Sequence, residues 1–124
     1  MKILIVDDEK DIQTLFQQRF RKEIKEGVME FIFAFSGEEA LAIMKEYEHE
    51  AILILSDINM PGMSGLQLLE KLKQIYIKPP PVVMMITAYA DSDNHKIAKE
   101  LGADDFLTKP IDFVNLKEKL LSIK

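Results

Sequence analysis

A chain of 124 residues is the length of one domain, enough to bury about two-thirds of its unfolded surface around a single core. Its 48% hydrophobic and 30% charged content excludes a disordered chain, and a net charge of −5 argues against a nucleic-acid-binding surface, which needs clustered Lys and Arg. The absence of cysteine excludes a disulfide framework and a thiolate metal site.

The first predicted element is KILIV (2–6), a continuously apolar run that stops at Asp7 and Asp8. It is too short for the apolar region of a signal peptide, and acids stand where a cleavage site needs small residues. No run in the chain approaches the roughly 18 residues of a membrane span, so a soluble cytoplasmic protein is expected. A helix follows: Ile12, Leu15, Phe16, Arg19 and Phe20 fall at i, i+3, i+4, i+7 and i+8, with Arg19 the polar intruder on the stripe. The basic cluster Arg19, Arg21, Lys22 and Lys25 reads as the wet side of that helix, with room for a kinase to dock nearby.

MEFIFAF (29–35) is the second strand. Ser36 with Glu39 then spells a capping box, opening a helix with Leu41 and Met44 on one face. The third strand, AILIL (51–55), stops on Asp57 before a turn through Pro61 and Gly62, and Ser64 with Gln67 repeats the cap ahead of Leu69 and Leu72. KPPP (78–81) is a stiff connection into the fourth strand, VVMMI (82–86), which ends at Thr87. Ser92 caps a helix through Ile97, Ala98 and Leu101, with Gly102 placed to stop it. The fifth strand, DFL (105–107), is short and leads to Lys109 and Pro110; Asp112 then caps a last helix whose Phe113, Leu116 and Leu120 face inward. The seven methionines read as core filler, and His49 and His95 as solvated helix residues.

Strand and helix alternate five times. Runs that are apolar throughout suit strands buried on both faces, so the expected fold is α/β, a doubly wound five-stranded parallel sheet with helices on both faces, forming one domain over 1–124. In such a sheet ligands bind beyond the carboxyl ends of the strands, where the strand order reverses. Asp7, Asp8, Asp57, Thr87 and Lys109 all stand at those ends and project to one rim. Two carboxylates about 5 Å apart repel by roughly 3 kcal/mol at an effective dielectric near 20, so the acidic trio favours cation binding or proton uptake.

Four motifs, IVDDE (5–9), SDINMPGMSG (56–65), TAYA (87–90) and GADDFLTKP (102–110), occur in order at these strand ends. With them the whole chain resembles the receiver domain of two-component response regulators, of the single-domain chemotaxis-regulator type. The resemblance implies a flavodoxin-like strand order 2-1-3-4-5. It implies that Asp57 is the phosphoacceptor, and that Asp7, Asp8, Asp57 and the main-chain carbonyl of Asn59 bind Mg2+, with Mn2+ an alternative. Thr87 and Lys109 would contact the phosphoryl group, the Lys109–Pro110 bond would be cis, and Pro61, Gly62 and Gly65 would shape the loop after the acceptor. Thr87 would move to the phosphoryl oxygen and Phe106, where the family often has Tyr, would fill the vacated space. The face formed by the fourth predicted helix, the fifth strand and the last helix would then change. Such a domain assists only its own phosphorylation and dephosphorylation. Its partners would be a sensor histidine kinase or histidine phosphotransfer protein and a downstream protein, with no direct nucleic acid and no membrane.

Asp104–Asp105 resembles the acidic half of a dimerisation face in one receiver subfamily, but the last helix lacks the opposing arginines, so a monomer or weak dimer is expected. Tyr89, two residues past Thr87, is placed to slow water attacking the acyl phosphate. The same residues speak against other functions. A flavin or nucleotide module needs a Gly- or Ser/Thr-rich turn after the first strand, whereas VDDEKD repels phosphate. An aspartyl-phosphate hydrolase needs an acid two residues past its nucleophile, and here that residue is Asn59. A docking module without chemistry would not need all five polar residues. The chain ends with the last helix, as a stand-alone regulator or a piece of a longer protein.

Overall fold

The computed structural model describes residues 1–47, 50, 52–77, 81–88 and 92–123, and in it the apolar runs are strands. The elements are β1 (Lys2–Val6), α1 (Asp11–Arg19), α2 (Arg21–Lys25), β2 (Glu30–Ala34), α3 (Gly37–Glu46), β3 (Ile52–Asp57), α4 (Gly65–Ile75), β4 (Val82–Thr87), α5 (Ser92–Glu100), β5 (Asp105–Thr108) and α6 (Phe113–Ser122). The strands form one sheet in the order β2-β1-β3-β4-β5, parallel throughout.

Alternate strand residues serve opposite cores. Leu4, Val6, Ile54, Val83 and Met85 pack with Ala40, Met44, Leu68, Leu69, Leu72 and Ala98 from α3, α4 and α5. Ile3, Ile5, Leu55, Met84, Ile86 and Leu107 pack with Phe16, Phe20, Leu116 and Leu120 on the other side. Burial on both faces is why these strands read as unbroken apolar runs. Most of the methionines are indeed filler: Met29, Met44, Met60, Met84 and Met85 are buried, while Met1 is exposed.

The caps follow their chemistry. Ser36 accepts the Glu39 N–H at 3.0 Å, Ser64 and Gln67 form the full reciprocal box, and Asp112 accepts from Val114 and Asn115. Gly102 takes φ +101° just past α5, as a helix stop requires. Ser92 is itself helical, so it starts α5 from inside, and Ile97 on that helix is exposed.

The single first helix expected from the sequence is two. Phe20 leaves helical geometry at φ −110°, ψ 23° while its buried ring packs against Phe16, Phe31 and Phe113. Aromatic burial sets its position at the expense of one turn's regularity. The inward stripe continues to Glu23, which is buried and paired with Lys117 of α6. Among the described residues no helix is long and apolar enough to cross a membrane. Part of the KPPP connection, the first residue of AILIL, His49 and Tyr89 lie outside the described residues.

Candidate functional site

Four strands end on the same rim. β1 hands over to Asp7, β3 ends on Asp57 and β4 on Thr87, all three buried, while Asp8 is exposed at the mouth. One carboxylate oxygen from each of Asp7, Asp8 and Asp57 lies within 4.8 Å of the others. From the turn after β5, the Lys109 ammonium donates to Asp57 Oδ2 at 2.7 Å, and the Lys109 N–H donates to the Thr87 carbonyl at 2.8 Å. The five polar residues predicted to share a rim do share it. The Lys109–Pro110 peptide is cis.

The acids are held by the backbone beside them. The Glu9 N–H donates to Asp7 Oδ1 at 2.9 Å, and the Asn59 N–H donates to Asp57 Oδ1 at 3.3 Å. The Ser56 hydroxyl, buried one residue earlier, donates to the Asp57 carbonyl at 3.0 Å. The loop after β3 folds back on its own strand: the Gly65 N–H donates to the Ile58 carbonyl at 2.8 Å, and Gly62 takes φ +74°. A Cβ on Gly65 would stand 2.0 Å from the Asp57 carbonyl oxygen, so only glycine lets α4 start this close to the acceptor strand.

Burial raises the Asp7 carboxyl above the usual carboxylate range, and the Asp57 charge adds to that; the Glu9 N–H and the Lys109 ammonium oppose it. Burial pulls the Lys109 ammonium down, but the hydrogen bond and charge of Asp57 outweigh it, so the group is held above its ordinary value. Asp7 Oδ2 is buried and has no hydrogen-bond partner among the described residues. An orphaned, buried oxygen on a carboxylate clustered with two further acids is a costly arrangement that a hard divalent cation would relieve, and magnesium prefers such oxygen ligands. Asp7, Asp8 and Asp57 therefore fit a magnesium ion.

Thr87 Oγ1 donates to the Leu107 carbonyl at 3.4 Å, a long and weak bond. Phe106 is half-buried, and its ring lies against His95 of α5 with centroids 3.8 Å apart. His95 is exposed on α5, as expected, and makes this ring contact besides. The acidic pair beyond α5 is occupied internally: Asp104 accepts from Lys73 and from the Val83 N–H, and Asp105 pairs with Lys119. Sequence reasoning missed Ser56, the close approach at Gly65 and the His95–Phe106 stack. A small residue three places before a helical Leu pair hinted at the second, and nothing local signalled the third.

The family model described as the response regulator receiver domain matches residues 3–121. Among solved structures, a response regulator receiver domain protein from Clostridium thermocellum is 29% identical with a TM-score of 0.79, the match covering 97% of this chain and 98% of that one. The chemotaxis protein CheY4 of Vibrio cholerae is 27% identical with a TM-score of 0.81, over 99% and 98% of the two chains. A probable two-component system response regulator/GGDEF domain protein matches with a TM-score of 0.84 at 24% identity, over 98% of this chain but 48% of its own, a likeness of fold alone.

Proposed function

The chain belongs to the response regulator receiver domain family, whose members are two-component signalling switches rather than classical enzymes, and on that premise we propose that Asp57 accepts the phosphoryl group. The donor in this reading is a sensor histidine kinase or a histidine phosphotransfer protein, in the cytoplasm, and the output is docking to a downstream protein. The observation that carries the proposal is the Lys109 ammonium 2.7 Å from Asp57 Oδ2, beside the clustered oxygens of Asp7 and Asp8.

A carboxylate is already ionised and needs no general base to act as a nucleophile. An Asp57 oxygen attacks phosphorus, the bond from phosphorus to the donor's imidazole nitrogen breaks, and that nitrogen keeps the electron pair. Asp7, Asp8 and Asp57, with the Asn59 carbonyl, would hold magnesium or manganese. When bound, the ion supplies positive charge against the crowded acids and the phosphoryl oxygens. The Lys109 ammonium can pass from Asp57 Oδ2 to a phosphoryl oxygen without leaving the rim. Thr87 Oγ1 gives up only a 3.4 Å bond to the Leu107 carbonyl when it turns to the same group. Phe106 is the aromatic that follows it inward, altering the face of α5, β5 and α6.

Intact mass after incubation with a small phosphodonor tests the reading. The expected result is a gain of one phosphoryl group that needs magnesium, disappears with chelator and is absent in Asp57→Asn. Mass gain in Asp57→Asn at the native rate would place the acceptor elsewhere.

A further inference from the structure

A groove of about 750 Å³ runs between the α1–α2 flank and the outer strand β2, away from the acidic rim. Its helical wall carries Arg21, Ile24 and Lys25, and its floor is Phe31 and Phe33. β2 is an edge strand, with β1 on one side and, among the described residues, no strand on the other. The Glu30 N–H donates to Met1 and the Ala34 carbonyl accepts from Asp7, so Glu30, Ile32 and Ala34 face β1. In a parallel ladder successive residues turn their polar groups to opposite sides. The N–H and C=O of Phe31 and Phe33 therefore point out of the sheet, alongside the groove. An unprotected edge of this kind is a template for another strand.

From this we infer that the groove is a docking site for an extended acidic segment of a partner protein, added as a sixth strand beside β2. Charge selects the occupant. On an acidic chain, Arg21 and Lys25 stand exposed on the groove wall, and neither has a salt-bridge partner among the described residues. Arg19, by contrast, is spent over the Phe113 ring at 5.4 Å. Glu30, the acid of the lining, lies in register with Lys2 of β1, whose ammonium feels its charge. Arg21 and Lys25 are one turn apart, about 6 Å of helix rise, close to the roughly 6.7 Å step between same-side residues of a strand. The segment thus carries carboxylates two residues apart, flanked on the same side by apolar residues for the phenylalanine floor. Backbone pairing supplies the affinity and these side chains the selectivity. A second copy of this chain does not supply such a segment, because its own edge strand, EFIFA, carries the single acid Glu30 and no carboxylates two residues apart.

The test titrates the full ¹⁵N-labelled chain with the synthetic peptide Val-Thr-Glu-Thr-Glu-Thr-Val and with its twin carrying Lys for Glu. The acidic peptide is expected to shift the Phe31 and Phe33 amide resonances, slow their hydrogen exchange, and bind about tenfold more tightly than the basic one. The double variant Arg21→Glu, Lys25→Glu, both exposed sites, should reverse that order while melting as the native protein does. Equal binding of the two peptides, an order that survives charge reversal, or unchanged exchange at Phe31 and Phe33 would overturn the inference. So would self-association through the same resonances without peptide, or binding to phosphatidylglycerol vesicles with no response to either peptide. None of these readouts involves Asp57, so the groove and the phosphoacceptor reading stand or fall separately.

Discussion

Asp7 carries the sharpest conflict of any single residue here. The residue is 1% exposed, one oxygen accepts the Glu9 N–H, the other has no partner among the described residues, and the carboxylate is clustered with two further acids. Burial and then Asp57 raise its folded pKa above the unfolded value of about 3.9. Between those two values the folded state holds more protons than the unfolded state, so stability falls as pH rises through that window. The favourable contribution is complete below the unfolded value and gone above the folded one. Asp7→Asn removes the titration. In chelator at pH 7 the variant should be more stable by about 1 kcal/mol, roughly 4 °C in Tm, and should lose this advantage towards pH 3. With magnesium the native protein should rise instead, by about 1.4 kcal/mol at ten times the dissociation constant, and the variant should gain little. Thermal melts in both buffers decide it: a variant no more stable than the native protein in chelator would show that the crowded acids cost nothing.

The loop from β3 into α4 shows how an element enforces the site. A Cβ at Gly65 meets backbone on both counts, the Asp57 oxygen at 2.0 Å and the Ile58 Cα at 2.7 Å, and neither can move without moving the acceptor. At Gly37 the obstacle is side chain alone, the Met63 sulfur at 2.8 Å with its Cβ and Cγ at 3.0 Å, so the loop that carries Met63 has to give by only a few tenths of an ångström. Gly65→Ala is therefore expected to cost about 3 kcal/mol in urea denaturation and to slow phosphoryl uptake at Asp57. Gly37→Ala should stay within about 1 kcal/mol of native, since better helix propensity offsets the shift of Met63. Similar losses at the two glycines would remove the close approach as the reason for Gly65. The turn was visible in the sequence as Pro61 and Gly62, but the contact was not, because it joins the helix start to a strand end through backbone alone. The caps at Ser36, Ser64 and Asp112 were legible for the opposite reason: their partners sit two or three residues away. The break at Phe20 was not, since the packing that holds it involves Phe31 and Phe113 from distant elements.

Across the whole molecule, the sheet and rim were readable because a parallel sheet buried on both faces leaves few polar strand ends, and those of Asp7, Asp57 and Thr87 stand out against apolar runs. What lay beyond sequence was any contact between two helix or strand surfaces, and the His95–Phe106 stack is the one with the largest consequence. If Phe106 must swing inward when Thr87 turns to the phosphoryl group, the ring has to leave His95 first. That contact then belongs to the resting state alone and holds the equilibrium towards it. Ring stacks are worth about 0.5–1.5 kcal/mol, so losing this one shifts the balance roughly two- to tenfold towards the active arrangement. Coupling is reciprocal: whatever favours the active arrangement tightens every ligand that prefers it by the same factor. His95→Ala should therefore bind beryllium trifluoride, a mimic of the phosphoryl group, about two- to tenfold more tightly in magnesium than the native protein does. His95→Phe, which keeps a ring against Phe106, should bind it as the native protein does. Calorimetric titration of the three proteins measures this directly. Equal affinities for native and His95→Ala would mean that the stack survives activation, and that Phe106 does not carry the signal from the acidic rim to the α5, β5 and α6 face.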